Sequence, residues 1–201
     1  MSKGDDTRAA ILAQATNLAS IIGLQGLTIG TLAGHSGMSK SGLFRHFGSK
    51  EELQVATLRA GIDRFTEAVV RPALKAPRGL ARVRELFDRW LAWESDKGLE
   101  GGCLFIAASI ELDDQPGVAR DYLVATQVEW LDFLASAARR AVEAGDFRPD
   151  LDVAQFAHEF NTTFLGFHQA HRLMRDPQAA QRARRQFDRL IEDAARAPVP
   201  A

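Results

Sequence analysis

The stretch at residues 28–50 constrains the fold more than any other part of this chain of 201 residues. Its apolar residues recur at helical spacing in two short runs, with Gly37 between them. Thr28 and Ser39 stand where the runs begin, and such hydroxyls accept a hydrogen bond from a free N–H of the first helical turn. Ser49 begins a third run. The pattern predicts two short helices joined by a tight turn, which is the arrangement of a helix-turn-helix.

The second helix of this pair combines an apolar set, Leu43, Phe44 and Phe47, with basic and polar side chains. Residues 39–50 include three basic side chains and no acidic one. Such side chains hydrogen-bond base edges or phosphates when a helix lies in the major groove. A surface hairpin with a solvated basic face is the alternative. The candidate DNA-binding residues are Thr28, Ser39, Lys40, Ser41, Gly42, Phe44, Arg45, His46 and Lys50.

Several residue types at fixed spacing within residues 7–58 resemble the DNA-binding domain of TetR-family regulators. They are Gly26-Leu27-Thr28, Leu32-Ala33, Gly37-Met38-Ser39-Lys40-Ser41, Leu43-Phe44-Arg45-His46-Phe47 and Ser49-Lys50-Glu51-Glu52-Leu53. One departure is Phe44, where the family usually has a tyrosine whose hydroxyl reaches a phosphate. A phenylalanine lacks that contact, so we expect Phe44 to serve in packing.

Helical patterning continues through the rest of the chain, without the sustained alternation or the Asn-Gly turn of a hairpin. We predict an all-α fold of about nine helices, consistent with the resemblance. Residues 1–50 would form the helix-turn-helix DNA-binding domain with the start of a connecting helix, and residues 51–201 a helical ligand-binding and dimerisation domain. The connecting helix is expected to end near Val70, where Pro72 breaks the chain. Lys3 and Arg8 are further candidates for contacts to the DNA backbone.

Composition limits the remaining possibilities. The net charge is −1, so nucleic-acid binding must come from a local patch. The single Cys103 excludes an internal disulfide and favours a reducing cytoplasm. The start of the chain is polar and no apolar run reaches about 18 residues, so we expect neither a signal peptide nor a membrane span. We expect no cofactor.

Aromatic residues line one side of the penultimate predicted helix. This helix and the last one resemble the pair through which TetR-family proteins form homodimers. Two helix-turn-helix units at fixed spacing would read a palindromic operator. A role in the core is the alternative, since aromatic stripes are usually buried. The candidate dimer residues are Phe156, Phe160, Thr163, Phe167, Phe187, Leu190 and Ile191.

The resemblance also implies a pocket for a small-molecule effector. Apolar walls with a few polar groups would suit an apolar or amphipathic ligand. Packing is the alternative role for each candidate. The candidate ligand-binding residues are Phe87, Trp90, Phe105, Ser109, Trp130, Phe133, Asn161, Phe164 and His168.

Enzyme motifs are absent from the sequence: we find no phosphate loop, dinucleotide fingerprint or nucleophile elbow. His168 and His171 are three residues apart, but no third metal ligand is evident, so we predict no metal site. We therefore predict a ligand-responsive regulator, a repressor that an effector releases from its operator, with no catalytic activity. The alternatives are a small-molecule-binding protein without DNA function and a metal-dependent helical enzyme.

Overall fold

The computed structural model describes residues 3–94 and 99–195, and the side chains from residue 6 onward. Its α-helices are α1 (Lys3–Ile22), α2 (Ile29–Ser36), α3 (Lys40–Phe47), α4 (Lys50–Phe65), α5 (Arg71–Lys75), α6 (Leu80–Trp93), α7 (Leu104–Leu112), α8 (Val118–Glu143), α9 (Val153–His168) and α10 (Ala179–Ala195). Two π-helical turns, Thr66–Val70 and Gln169–Leu173, extend α4 and α9. Because α4 runs through its π turn into α5, the described residues form nine continuous helices and no strand. The predicted all-α fold is confirmed.

The connecting helix does not end at Val70, as the sequence predicted, but continues through Pro72 to Lys75. Pro72 has no N–H to donate to the carbonyl of Ala68, four residues earlier, so a regular α-helix would leave that oxygen without its partner. The π turn directly before α5 widens the helix at this point, which is a common response to such an interruption. Proline therefore changes the helix here instead of terminating it.

Cα packing divides the chain into two compact units. The first unit comprises the described residues of Met1–Thr66 and Glu94–Ala125, and the second those of Glu67–Trp93 and Thr126–Ala201. A packing unit is not the same as a functional domain, so the predicted boundary at residue 50 remains a prediction.

The first unit has a leucine-rich core around the helix-turn-helix. Six fully buried leucines surround the helix-turn-helix, and they are Leu24, Leu27, Leu32, Leu43, Leu53 and Leu58. They come from α2, α3, α4 and the loop after α1, so each short helix places at least one side chain in a shared core. Burial of a leucine side chain stabilises the fold by about 1.5–3 kcal/mol, which compensates for the low intrinsic stability of eight-residue helices.

The second unit has an aromatic core made by α6, α9 and α10. Phe87 stacks on Phe187 with ring centroids 3.9 Å apart, and Trp90 stacks on Phe164 at 4.1 Å. Phe160 packs edge-on against both Phe87 and Phe187. Contacts of this kind fix the relative positions of the three helices, because aromatic pairs have preferred geometries as well as large buried areas.

Candidate nucleic-acid interface

A reciprocal pair of threonines starts α2. The N–H of Thr31 donates to Oγ1 of Thr28 at 3.0 Å, and the N–H of Thr28 donates to Oγ1 of Thr31 at 2.9 Å. The sequence predicted the cap at Thr28 but not the return bond from Thr31. At the other end of α2, Gly37 adopts a left-handed conformation with φ of 69°, which a glycine takes without steric cost. Helix α2 is therefore fixed at both ends, by the threonine pair at its start and by the glycine turn that leads to α3.

Helix α3 begins at the predicted cap. Oγ of Ser39 accepts a hydrogen bond from the N–H of Gly42 at 3.1 Å. Leu43 and Phe47 are buried in the first unit. These two side chains lie one turn apart on one face, so they anchor α3 to the core and fix which of its faces meets solvent. The opposite face is free for a partner.

The outward face of α3 carries most of the predicted DNA-binding residues. The exposed candidates are Ser39, Lys40, Ser41, Phe44, Arg45 and Lys50, and the half-buried ones are Thr28, Gly42 and His46. All nine candidate residues lie on α3, at its cap, or at the start of α2 or α4. Residues 39–50 include no acidic side chain, and the exposed cations Lys40, Arg45 and Lys50 all belong to this set of residues.

Phe44 corrects the sequence prediction. We expected it to pack with Leu43 and Phe47, yet its side chain is 58% exposed. The reason is helical geometry, because Leu43 and Phe47 share one face while Phe44 lies to the side of it. Phe44 therefore presents an apolar surface to solvent next to the basic residues.

Helix α4 brings Lys50 to the same surface. Oγ of Ser49 accepts a hydrogen bond from the N–H of Glu52 at 3.0 Å, which caps the helix as predicted. Lys50 is exposed, and its Nζ donates to Oε1 of Gln25 at 3.4 Å. The free N–H groups and the dipole of a helix N-terminus favour an anion at this position.

Arg8, a candidate for the DNA backbone, lies over the ring of Phe47 at 5.3 Å from the centroid. This cation–π contact links α1 to the base of α3. The side chain of Lys3, the other candidate in α1, lies outside the described residues.

Sequence reasoning missed a contact between the segment around α7 and the end of α1. The carboxylate of Glu111 accepts a hydrogen bond from the N–H of Gln25 at 2.8 Å. The N–H of Gly101 donates to Oγ of Ser20 at 3.0 Å, and the N–H of Glu100 donates to Oδ1 of Asn17 at 3.0 Å. These residues are about 80 positions apart in sequence, and no local pattern signals such a pairing.

The candidate ligand-binding residues fall into both units. Phe105 and Ser109 belong to the first unit, where Oγ of Ser109 donates to its own helix at the carbonyl of Phe105, 2.7 Å away. The other seven belong to the second unit. Three of those, Phe87, Trp90 and Phe164, are buried, and the remaining four, Trp130, Phe133, Asn161 and His168, are half-buried. The indole rings of Trp90 and Trp130 meet edge-on at 5.0 Å, so part of this set is one cluster.

The candidate dimer residues lie in the core of the second unit, and their role in a dimer remains a prediction. Phe156, Phe160, Thr163, Phe167, Phe187, Leu190 and Ile191 are all buried within the single chain. A side chain that its own protomer already covers offers little surface to a second copy, so these seven form the core between α9 and its neighbours. The opposite side of α9 remains exposed and includes His158, Leu165 and Gly166.

Histidines do not form a metal cluster in the described part of the chain, where no three His, Cys, Asp or Glu side chains lie close enough to hold one ion. His171 instead stacks on Phe167 with ring centroids 5.3 Å apart. Within residues 3–94 and 99–195, no helix has both the length and the apolar character needed to cross a bilayer.

Two sequence profiles match the chain and decide its family. Residues 79–187, just over half of the chain, match the tetracycline repressor-like C-terminal domain, and residues 11–57 match the bacterial regulatory proteins of the tetR family. The chain belongs to the TetR family. Members of this family are ligand-responsive DNA-binding regulators of transcription that form dimers, which confirms the function and partners predicted for this TetR-family chain.

Relatives agree with this assignment. The HTH-type transcriptional regulator TcmR of Streptomyces glaucescens is 33% identical over 156 residues, which cover 75% of this chain and 68% of TcmR. A TetR transcriptional regulator of Chloroflexus aurantiacus J-10-FL superposes with a TM-score of 0.82 at 25% identity, covering 96% of both chains. AibR in complex with isovaleryl coenzyme A and operator DNA gives a TM-score of 0.66 at 26% identity, covering 81% of this chain and 86% of AibR.

Proposed function

We propose that this TetR-family chain is a repressor that binds a palindromic operator as a homodimer and leaves it when a small apolar or amphipathic effector binds. The observation that carries the proposal is the outward face of α3. Lys40, Ser41 and Arg45 are exposed there, while Leu43 and Phe47 hold the helix to a buried core. A rigid helix with cationic and polar groups on its free face is suited to the major groove.

The exposed side chains have different roles in this proposal. Arg45 and Lys40 are the candidates for base edges, because their donors match the N7 and O6 acceptors of guanine. Lys50 is the candidate for phosphate, because it is exposed at the first position of α4, where the helix dipole favours an anion. Base contacts specify a sequence and phosphate contacts position the protein, so the two groups should respond differently to mutation.

Dimerisation would use the outer side of α9. Leu165 is 42% exposed there, and Gly166 has open space around its Cα, so a second helix could approach closely. The outer side of α10 carries charged residues that include Arg185, Asp188 and Glu192. It is therefore better suited to the polar rim of the dimer interface than to its centre. A second copy of the chain would thus place its α9 across this surface.

The effector would bind in the second unit, near the aromatic cluster of Trp90, Trp130 and Phe133. Asn161 and His168 are half-buried on α9 and would supply the few polar groups that orient an apolar ligand. The isovaleryl coenzyme A complex of AibR supports an acyl-containing ligand as the first class to screen. To release DNA, the effector must favour the non-binding state by a few kcal/mol.

Selection of genomic DNA fragments by the purified protein tests the proposal. We expect enrichment of one palindrome, with affinity that falls steeply as salt rises because counterions are released from the bound phosphates. Arg45→Ala should bind this palindrome more weakly. Arg140→Ala is its matched control, since Arg140 is an exposed arginine on α8 in the other unit. If no fragment is enriched at low salt by protein that mass spectrometry finds free of ligand, the proposal is refuted.

A further inference from the structure

Among the described phenylalanines, Phe44 alone is exposed, with 58% of its surface in contact with solvent. The other eleven are buried or half-buried. A single exposed apolar side chain needs no partner of its own, and Ile110 and Leu173 are more exposed than Phe44. Phe44 differs from them in its position, because it lies on the outward face of α3 among exposed basic and hydroxyl side chains.

The neighbours of Phe44 indicate what kind of partner this is. It lies one turn from Lys40 and Ser41 on α3 and directly before Arg45, and all three of these side chains are exposed. The surface is thus one apolar ring among cationic and hydroxyl groups, without an acidic residue between Ser39 and Lys50. An acidic, grooved partner with isolated apolar points fits it, and an apolar protein surface does not.

Double-stranded DNA has this chemistry. Its phosphates attract the cations, and its base edges bond to the polar side chains, but a phenyl ring cannot hydrogen-bond to either. The apolar group that a base pair presents in the major groove is the 5-methyl group of thymine. The phenyl ring of Phe44 is of a type that contacts this methyl group in protein–DNA complexes.

We propose that Phe44 is a specificity-determining residue that reads a thymine through its 5-methyl group in each operator half-site. The inference rests on the proposed function, because it requires that α3 lie in the major groove. The polar neighbours of Phe44 would supply the hydrogen bonds, and Phe44 would select against cytosine and uracil at this position.

Substitution of deoxyuridine for thymine tests the proposal, since it removes only the methyl group and leaves base pairing intact. Each thymine of the selected operator is replaced in turn, symmetrically in both half-sites, and affinity is measured by fluorescence anisotropy. We expect one position at which the parent protein loses about sixteenfold, because the dimer loses two methyl contacts and each buried methyl group contributes roughly a fourfold change in affinity. Phe44→Ser should bind the thymine and uracil operators equally.

Lys50→Gln is the matched control. This variant loses a phosphate contact, so it should bind all operators more weakly and still show the full uracil penalty. Phe44 is largely exposed, so Phe44→Ser should keep the parent's circular dichroism spectrum and melting temperature. The comparison separates a contact with the methyl group from a general loss of affinity.

Three results would overturn the inference while leaving DNA binding established. They are a selected half-site without thymine, a parent protein that tolerates uracil everywhere, and a uracil penalty that survives in Phe44→Ser. If no operator is bound at any salt concentration, the proposed function itself fails and the inference fails with it. The two failures are therefore distinguishable.

Discussion

Gly101→Ala tests whether the segment before α7 is packed directly against α1. A Cβ atom at residue 101 would lie 1.6 Å from the carbonyl oxygen of Ser20 and 2.5 Å from the backbone nitrogen of Ile21. Both are backbone atoms within α1, so they cannot rotate away as a side chain would. Insertion of a methyl group into a packed site typically costs 1–3 kcal/mol, and a contact with backbone this close should cost about 3 kcal/mol. The hydrogen bond from Gly101 to Ser20 would be lost in the same movement.

Gly34→Ala is the matched control in the same unit. Gly34 lies inside α2, and a Cβ there would meet no atom within 4 Å. The change should stabilise the protein by about 0.5–1 kcal/mol, because alanine favours a helix interior over glycine. Urea denaturation followed by circular dichroism measures both variants. If Gly101→Ala has a midpoint at or above that of the parent, the close approach of the two segments is wrong.

Three further substitutions test the dimer surface, the aromatic core and the cap of α4. Leu165→Asp should convert the dimer to monomer in analytical ultracentrifugation. It should also weaken operator binding by at least about a hundredfold, because a monomer cannot bind both half-sites. Leu74→Asp changes a similarly exposed leucine and should leave both the dimer and operator binding unchanged. Phe87→Ala should lower the free energy of unfolding by about 3–5 kcal/mol in guanidinium titrations, since it removes the stack on Phe187. Ser49→Ala should lower it by about 1 kcal/mol through loss of a helix cap.

The helix-turn-helix could be predicted from sequence because local chemistry determines it. The caps at Thr28, Ser39 and Ser49 and the glycine at residue 37 each act within four residues. The predicted fold class followed for the same reason, since helical periodicity is a local signal. Pro72 shows the limit of such rules, because a proline predicts an interruption of a helix but not whether the chain absorbs it in a π turn.

Burial was harder to predict. A stripe of aromatic residues on α9 fits equally a dimer surface and a core, and the structure buries it against α10 and α6. Phe44 shows the opposite difference, because the apolar pattern of α3 predicts packing and the side chain is exposed. The contacts of Glu111 and Gly101 with the end of α1 depend on residues about 80 positions apart, so only the folded chain reveals them.

Salt-dependent titration of the selected operator with Arg45→Ala and Lys50→Ala tests whether α3 and the first turn of α4 bind operator DNA. Arg45→Ala should cost about 1–3 kcal/mol and relax specificity at one position in each half-site. Lys50→Ala should weaken binding to all sequences alike and reduce the slope of log K against log salt by roughly 1.8 for a dimer that loses two phosphate contacts. If both variants bind the operator with the parent's affinity and salt dependence, the interface assigned to α3 and α4 is wrong.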